Sequence, residues 1–302
     1  MVDLDQTFIH DTPTHKFTIK WMCLGDTKAP TICFIHGTPW SCVEWKTLAA
    51  SLSSRYCIYL YDHPGFGQSP SPERISNPDQ GDITMIDLDP SLTLRAEASA
   101  ALFRSWNFSS APHVIAHDNG GVVSLRMLLQ HGLQFASLCL IDVVALSRTE
   151  DIPFFKLVAE NEHVFTAIPP HLVEGFVHSY VKTAAYKPLA ADDEAALCAP
   201  WLADGTQGPK RFLQEMVQAH HRAVGDVEKD YKEAGQRTHI KIIWGKDDAW
   251  IPVATATRLA DAVGTKEEVI LIEEAGHLIQ YDQPSKLAVE VALWLDLVRN
   301  RT

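Results

Sequence analysis

Short apolar runs rich in β-branched and aromatic residues recur along the chain: KFTIKWM (16–22), TICFI (31–35), YCIYLY (56–61), HVIAH (113–117), SLCLID (137–142), HIKIIW (239–244) and EVILI (268–272). Runs of this length and composition predict strands buried on both faces. The stretches 41–53, 91–106, 120–132, 253–263 and 284–299 lie between them and predict helices. Near-continuous apolar strands alternating with helices imply a mostly parallel sheet, flanked by helices and joined by right-handed crossovers, so the fold class is α/β. The rhythm breaks from Ser147 to Gln236, where no strand candidate appears and helical segments are separated by IPP (168–170), KP (187–188), AP (199–200) and DGTQGP (204–209). Such punctuation predicts an inserted helical subdomain. It would lie over the carboxyl edge of the sheet, where parallel sheets bind ligands. The expected organisation is a core domain, 1–146 and 237–302, with a helical cap at 147–236.

Composition adds little to this picture but removes several function classes. With 302 residues, 46% of them hydrophobic, the chain has the make-up of an ordinary globular protein rather than a disordered or collagenous one. Its 26 Lys+Arg against 38 Asp+Glu give a formal net charge of −12, and the average field would repel nucleic acid and anionic membranes. The expected partners are therefore a small organic molecule and water, with no nucleic acid and no membrane. Six cysteines are scattered through apolar runs without metal-ligand spacing, which predicts buried free thiols. The amino terminus lacks the pattern of a signal peptide and no run of eighteen apolar residues occurs, so a soluble, cytoplasmic protein is expected.

The chemistry concentrates in HVIAHDNGGVVSLRMLL (113–129), where a buried strand runs straight into an apolar-periodic helix. Asp118 stands at the junction, with Ala116 and Gly120 two residues to either side and Gly121 beyond. A sharp strand-to-helix turn needs small flanking residues, and its central side chain is thrust above the sheet: this is the spacing of a nucleophile elbow. The usual central residue is Ser. An Asp there has its carboxylate at a helix amino terminus, where the dipole and free N–H groups keep it ionised and able to attack carbon. The competing reading is an ordinary N-cap.

With FIHGTPW (34–40), DHPGFGQS (62–69), WGKDDAWIP (244–252) and EEAGHLIQYDQP (273–284) in order around that elbow, the chain resembles the α/β-hydrolase superfamily. Within it, the chain is similar to the aspartate-nucleophile branch of haloalkane dehalogenases, fluoroacetate dehalogenases and epoxide hydrolases. The resemblance implies an α/β-hydrolase fold with a cap, and a reaction that needs neither metal nor organic cofactor. His277 is then the general base and Asp248, at the family's G-x-x-D position, the acid that orients it. Asp142 is a rival acid, because several relatives carry theirs after that strand; those relatives tend to lack the later Asp, which favours Asp248. The oxyanion donors would be the backbone N–H groups of Thr38 and Asn119. His36 is read as a loop-shaping residue.

The chain also departs from these relatives. Haloalkane dehalogenases commonly hold the halide with a Trp after the nucleophile and an Asn in the early loop, where this chain has Asn119 and Thr38. Fluoroacetate dehalogenases carry an Arg after the nucleophile, and none stands there. Epoxide hydrolases need cap donors to protonate the opening ring oxygen, and the cap offers His163, Tyr180, Tyr186, His220 and His221. Trp40, His163 and His220 are the expected substrate-binding residues. Phe154, Phe155, Phe165, Trp201, Phe212 and Trp250 are candidates either for an apolar pocket lining or for cap packing. Hydrolysis of a neutral, mostly apolar epoxide through an aspartyl ester is the leading expectation. The alternatives are haloalkane hydrolysis by the same two steps, lactone or ester hydrolysis without an alkyl intermediate, and a non-catalytic ligand-binding protein.

Overall fold

In the computed structural model, which describes residues 3–75, 91–146, 153–203, 207–218 and 222–301, the apolar runs do form strands. Among the described residues these are β1 (Gln6–Asp11), β2 (His15–Leu24), β3 (Thr31–Ile35), β4 (Cys57–Tyr61), β5 (Glu73–Arg74), β6 (His113–Asp118), β7 (Ser137–Val143), β8 (His239–Gly245) and β9 (Ile270–Ile272). They make one sheet in the order β1-β2-β4-β3-β6-β7-β8-β9, with β5 paired to β2. Every pairing from β4 to β9 is parallel, while β1 and β2 run antiparallel to their neighbours. Burial on both faces holds for β3, β6 and β7. It fails for β2, where only Phe17 and Ile19 are buried, because an antiparallel strand near the sheet edge has one face in water. It fails again at β9, an edge strand whose Leu271 is 46% exposed.

Helices cover both faces: α1 (Lys46–Leu52), α2 (Ser91–Ser105) and α3 (Gly120–Leu129) come early in the chain. The middle carries α4 (Pro153–Glu160), α5 (Glu162–Thr166), α6 (Pro170–Thr183), α7 (Ala191–Leu202), α8 (Gln207–Gln218), α9 (Arg222–Glu228) and α10 (Tyr231–Arg237). The chain closes with α11 (Ala254–Val263), α12 (Ile279–Asp282) and α13 (Pro284–Arg299). Residues of α2, α3 and α11 share one buried cluster with Val114, Leu138 and Ile240 of the sheet. Those of α1 and α13 share another with Ile58, Ile115 and Ile243. Each fully buried Leu, Ile or Val side chain in these layers contributes roughly 1.5–3 kcal/mol of transfer free energy. Among the described residues, no helix is long and apolar enough to cross a membrane.

The helical interval 147–236 divides in its packing. Val173, Val177 and Tyr180 of α6, Trp201 of α7, and Phe212 and Met216 of α8 meet Trp40, Phe66 and Leu278 of the core in a third apolar cluster. By contrast, Val224, Val227, Tyr231 and Ala234 of α9 and α10 join the sheet's own cluster. The Tyr231 hydroxyl donates to the Ala145 carbonyl at 2.6 Å. These two helices therefore pack in the layer of α2, α3 and α11, whereas α6, α7 and α8 pack on Trp40, Phe66 and Leu278.

Candidate active site

The turn between β6 and α3 has the geometry its sequence requires. Asp118 sits at φ +49°, a left-handed conformation that costs a non-glycine residue about 1–3 kcal/mol and persists only where surroundings enforce it. A Cβ on Gly120 would lie 2.5 Å from the Ile35 carbonyl oxygen, one on Gly121 2.4 Å from the Val143 Cβ, and one on Gly37 2.2 Å from Asp118 Oδ1. Only glycine lets these three backbone segments close around the carboxylate. The N–H of Val144 donates to the Asp118 carbonyl at 3.0 Å and ties the turn to the neighbouring strand.

Three side chains converge on this point. Asp118 Oδ1 accepts the Thr38 N–H at 2.6 Å, and Oδ2 lies 3.4 Å from His277 Nε2. That second approach is one of charges, too loose to be a formed hydrogen bond. On the other side of the ring, His277 Nδ1 lies 3.0 Å from Asp248 Oδ2. Asp248 is itself held, since its Oδ1 accepts the N–H groups of Trp250 at 2.7 Å and Ile251 at 3.0 Å. A carboxylate accepts, so the network assigns one proton to Nδ1 and turns Nε2, the nitrogen that gains or loses the second proton, toward Asp118. Burial works against the ionised Asp118, but His277, His117 and the Asn119 N–H outweigh it and hold the carboxyl below the usual carboxylate range. Burial likewise opposes the imidazolium of His277, yet Asp248 and Asp118 together keep it well above its ordinary value.

Asp142, the rival acid, lies at the end of β7 with φ +41° and accepts the Gly245 N–H at 2.8 Å. Burial and the neighbouring Asp248 carboxylate push it far above the carboxylate range, so it is a neutral acid beside the anion rather than the partner of His277. His36 has its Nε2 taken by the His63 N–H at 2.9 Å and gives Nδ1–H to the Gly37 carbonyl at 2.9 Å. Burial lowers its pKa to about 3, and it shapes the loop as a neutral ring.

The other expected site residues separate. Trp40 is buried and stacks on Trp250 at 5.6 Å, which in turn stacks on His277 at 4.9 Å. Asn119 is buried next to Asp118. His163 is corrected: it lies on an exposed face of the short helix α5 and turns to solvent, as Tyr186 does. His220, His221 and the Phe155 side chain lie outside the described residues. Helix α6 instead presents Tyr180, buried and 4.3 Å from the Trp250 ring, with its acidity depressed by burial and by the charge of Asp118. The Tyr180 hydroxyl, Trp40 Nε1 and His277 Nε2 are buried polar atoms without a hydrogen-bond partner, gathered around the same aromatic wall.

Two pairs of residues escape a reading of the sequence. His117 lies 3.1 Å from Glu44 Oε2 through Nδ1 and donates Nε2–H to the His277 carbonyl at 2.9 Å, all three side chains being fully buried. This pair grips the main chain that carries the candidate base. Arg95 donates to the Thr38 hydroxyl at 3.0 Å and pairs with Glu215 of α8. The His immediately before Asp118 is a visible signal for the first pair; nothing in the spacing of Arg95 or Glu215 marks the second.

A parallel sheet with an acidic residue on a strained strand-to-helix turn, a buried His-Asp pair above it and two backbone donors beside it defines a hydrolase of the α/β type. The chain belongs to the alpha/beta hydrolase family, whose model matches residues 34–291, and is an enzyme of that type. It is similar to the dihydrolipoyllysine-residue acetyltransferase component of the acetoin cleaving system of Pseudomonas putida, 23% identical over 287 residues, covering 92% of this chain and 66% of that protein. A fluoroacetate dehalogenase of Burkholderia sp is 27% identical over 122 residues, 40% of this chain and 37% of the relative. The chain thus spans less than two thirds of the length of either. The crystal structure of an alpha/beta hydrolase fold protein from Burkholderia ambifaria superposes with a TM-score of 0.80 at 30% identity, covering 96% of this chain and 98% of that one.

Proposed function

We propose that the protein hydrolyses a neutral, mostly apolar organic substrate, an epoxide first of all, through a covalent ester on Asp118. The observation that carries this reading is a carboxyl group on the elbow, held by the Thr38 N–H at 2.6 Å and faced by His277 Nε2 at 3.4 Å. Oδ2 attacks a ring carbon, the carbon–oxygen bond breaks, and the ring oxygen takes a proton from the Tyr180 hydroxyl. Ester formation removes the negative charge from Asp118. His277 then loses one of the two anions that raise its basicity and gives up a proton to solvent, reaching the neutral form that a general base requires; it takes that proton back once Asp118 is again a carboxylate. It takes a proton from water, whose oxygen adds to the ester carbonyl; the oxyanion on Oδ1 is met by the N–H groups of Thr38 and Asn119. Collapse breaks the ester bond, the diol leaves with the proton held by His277, and the proton remaining on Asp118 restores Tyr180.

Epoxide is preferred over halide because the buried, unpartnered donor in the cap is a phenol, and because Asn119 and Thr38 occupy the two positions of the usual halide clamp. Haloalkane hydrolysis by the same two steps is the second reading, favoured by the free Trp40 Nε1 and the fluoroacetate dehalogenase relative. A single turnover in ¹⁸O-water tests the route: the heavy oxygen enters the Asp118 carboxyl and the first diol carries none. Label in the first diol would mean that water attacks the substrate directly and would overturn the aspartyl ester.

A further inference from the structure

The loop that carries Thr38 is tied to the cap at two points. Trp201 of α7 donates its Nε1–H to the Pro39 carbonyl at 2.8 Å. Arg95 of α2, 4% exposed and seated 4.4 Å over the Phe66 ring, donates to the Thr38 hydroxyl at 3.0 Å while its other arm pairs with Glu215 of α8. Glu215 is buried as well, and it reaches Arg95 past Gly65, where φ is +88° and an added Cβ would stand 2.8 Å from its carboxylate oxygen. The Thr38 N–H at the end of this chain donates to Asp118 at 2.6 Å. A continuous path therefore runs from a cap helix through two buried charges to the candidate nucleophile.

Once buried, neither charge is stable without the other, so Arg95 has its counter-ion only while α8 is seated on the core. If α8 lifts, Glu215 leaves with it. The guanidinium, anchored by a flexible side chain, then turns toward water and releases the Thr38 hydroxyl, and the same movement draws on Pro39 through Trp201. We propose that Arg95 is a positioning residue that makes the Thr38 oxyanion donor depend on the seating of the cap, so that the site is complete only when the cap is closed over substrate. This rests on the reading of Asp118 as nucleophile and Thr38 as oxyanion donor.

The test uses the full chain with Glu215→Gln, Thr38→Val and the double variant; Thr38→Val replaces the hydroxyl that Arg95 grips with a methyl group of similar size, and circular dichroism and melting temperature check the fold of each variant. Hydrogen exchange is followed in peptides spanning 34–45 and 207–218, and turnover is followed with styrene oxide. Coupling predicts that Glu215→Gln speeds exchange in both peptides and that each single variant lowers kcat about tenfold or more with KM within about threefold, since a small misplacement of a catalytic donor costs up to about a hundredfold. The double variant should lose no more than the worse single one, because both substitutions cut the same path. Faster exchange in 207–218 with 34–45 unchanged, a rise in KM alone, or losses that multiply would each overturn the role of Arg95. If the wild type leaves styrene oxide untouched, it is the epoxide reading that fails, and the exchange measurement still decides the coupling.

Discussion

Three buried carboxyl groups stand near one imidazole, and their charges differ because their partners differ. Asp118 accepts a backbone N–H and faces His277, so it stays ionised. Asp248 accepts two backbone N–H groups and the imidazole. Asp142 has one N–H and a neighbouring anion, and keeps its proton. Environment thus separates two positions that stand as rivals in the sequence. Asp142→Asn preserves a neutral hydrogen-bonding group and should retain activity within about tenfold, whereas Asp248→Asn removes the charge that stabilises the imidazolium and should cost about 10⁴ in kcat, as loss of a triad acid does. Steady-state kinetics on the two variants, compared with their melting temperatures, checks this; equal losses would contradict the assignment. The aspartates and His277 are legible because each stands in a motif whose turn dictates its placement. Tyr180 and Glu44 do not stand out in the same way, since a cap tyrosine or a glutamate in a short helical turn acquires its meaning only from what packs on it, and His163 misleads for the same reason in reverse.

At the level of elements, periodicity and length locate the central strands and the flanking helices because both are set by local burial. The helix expected over 120–132 is α3, and that over 284–299 is α13. The edges are less legible. The strand β1, QTFIHD, shows no alternation of apolar and polar positions and little burial, and it is held by pairing along β2, a non-local term absent from any window of sequence. The packing of the last helices in the 147–236 interval is not legible for a related reason: α9 and α10 have the same helical pattern as their predecessors, and the direction in which Val227 and Tyr231 point is decided by the sheet they meet. The elbow is the opposite case. Gly120 and Gly121 are required because an added Cβ would meet neighbouring strands at 2.5 Å and 2.4 Å, and small residues at those offsets mark the turn in the sequence itself.

For the whole molecule, the charges at the site couple function to folding. Asp118 lies below its ordinary carboxylate value of about 3.9, so its contribution to stability is present above that pH and is lost as pH falls through the depressed value. His277 lies above its ordinary value of about 6.5, so its contribution is fully present below that pH and is lost as pH rises through the raised value. Subtracting the unfolding free energy of Asp118→Asn from that of the wild type removes the other buried acids from the comparison. The difference should climb through the acid range, level off between about pH 4 and 6.5, and decline in the alkaline range. A difference flat across this span would mean that the two groups do not hold opposite charges in the native state. Whether Asp118 forms a covalent ester, on which the proposed chemistry turns, is decided by the intact mass of His277→Ala after incubation with epoxides, haloalkanes and lactones. The expected product is an adduct of the full epoxide mass, mapping to the peptide that contains Asp118; no adduct from any compound, with the wild type turning over a lactone, would contradict it.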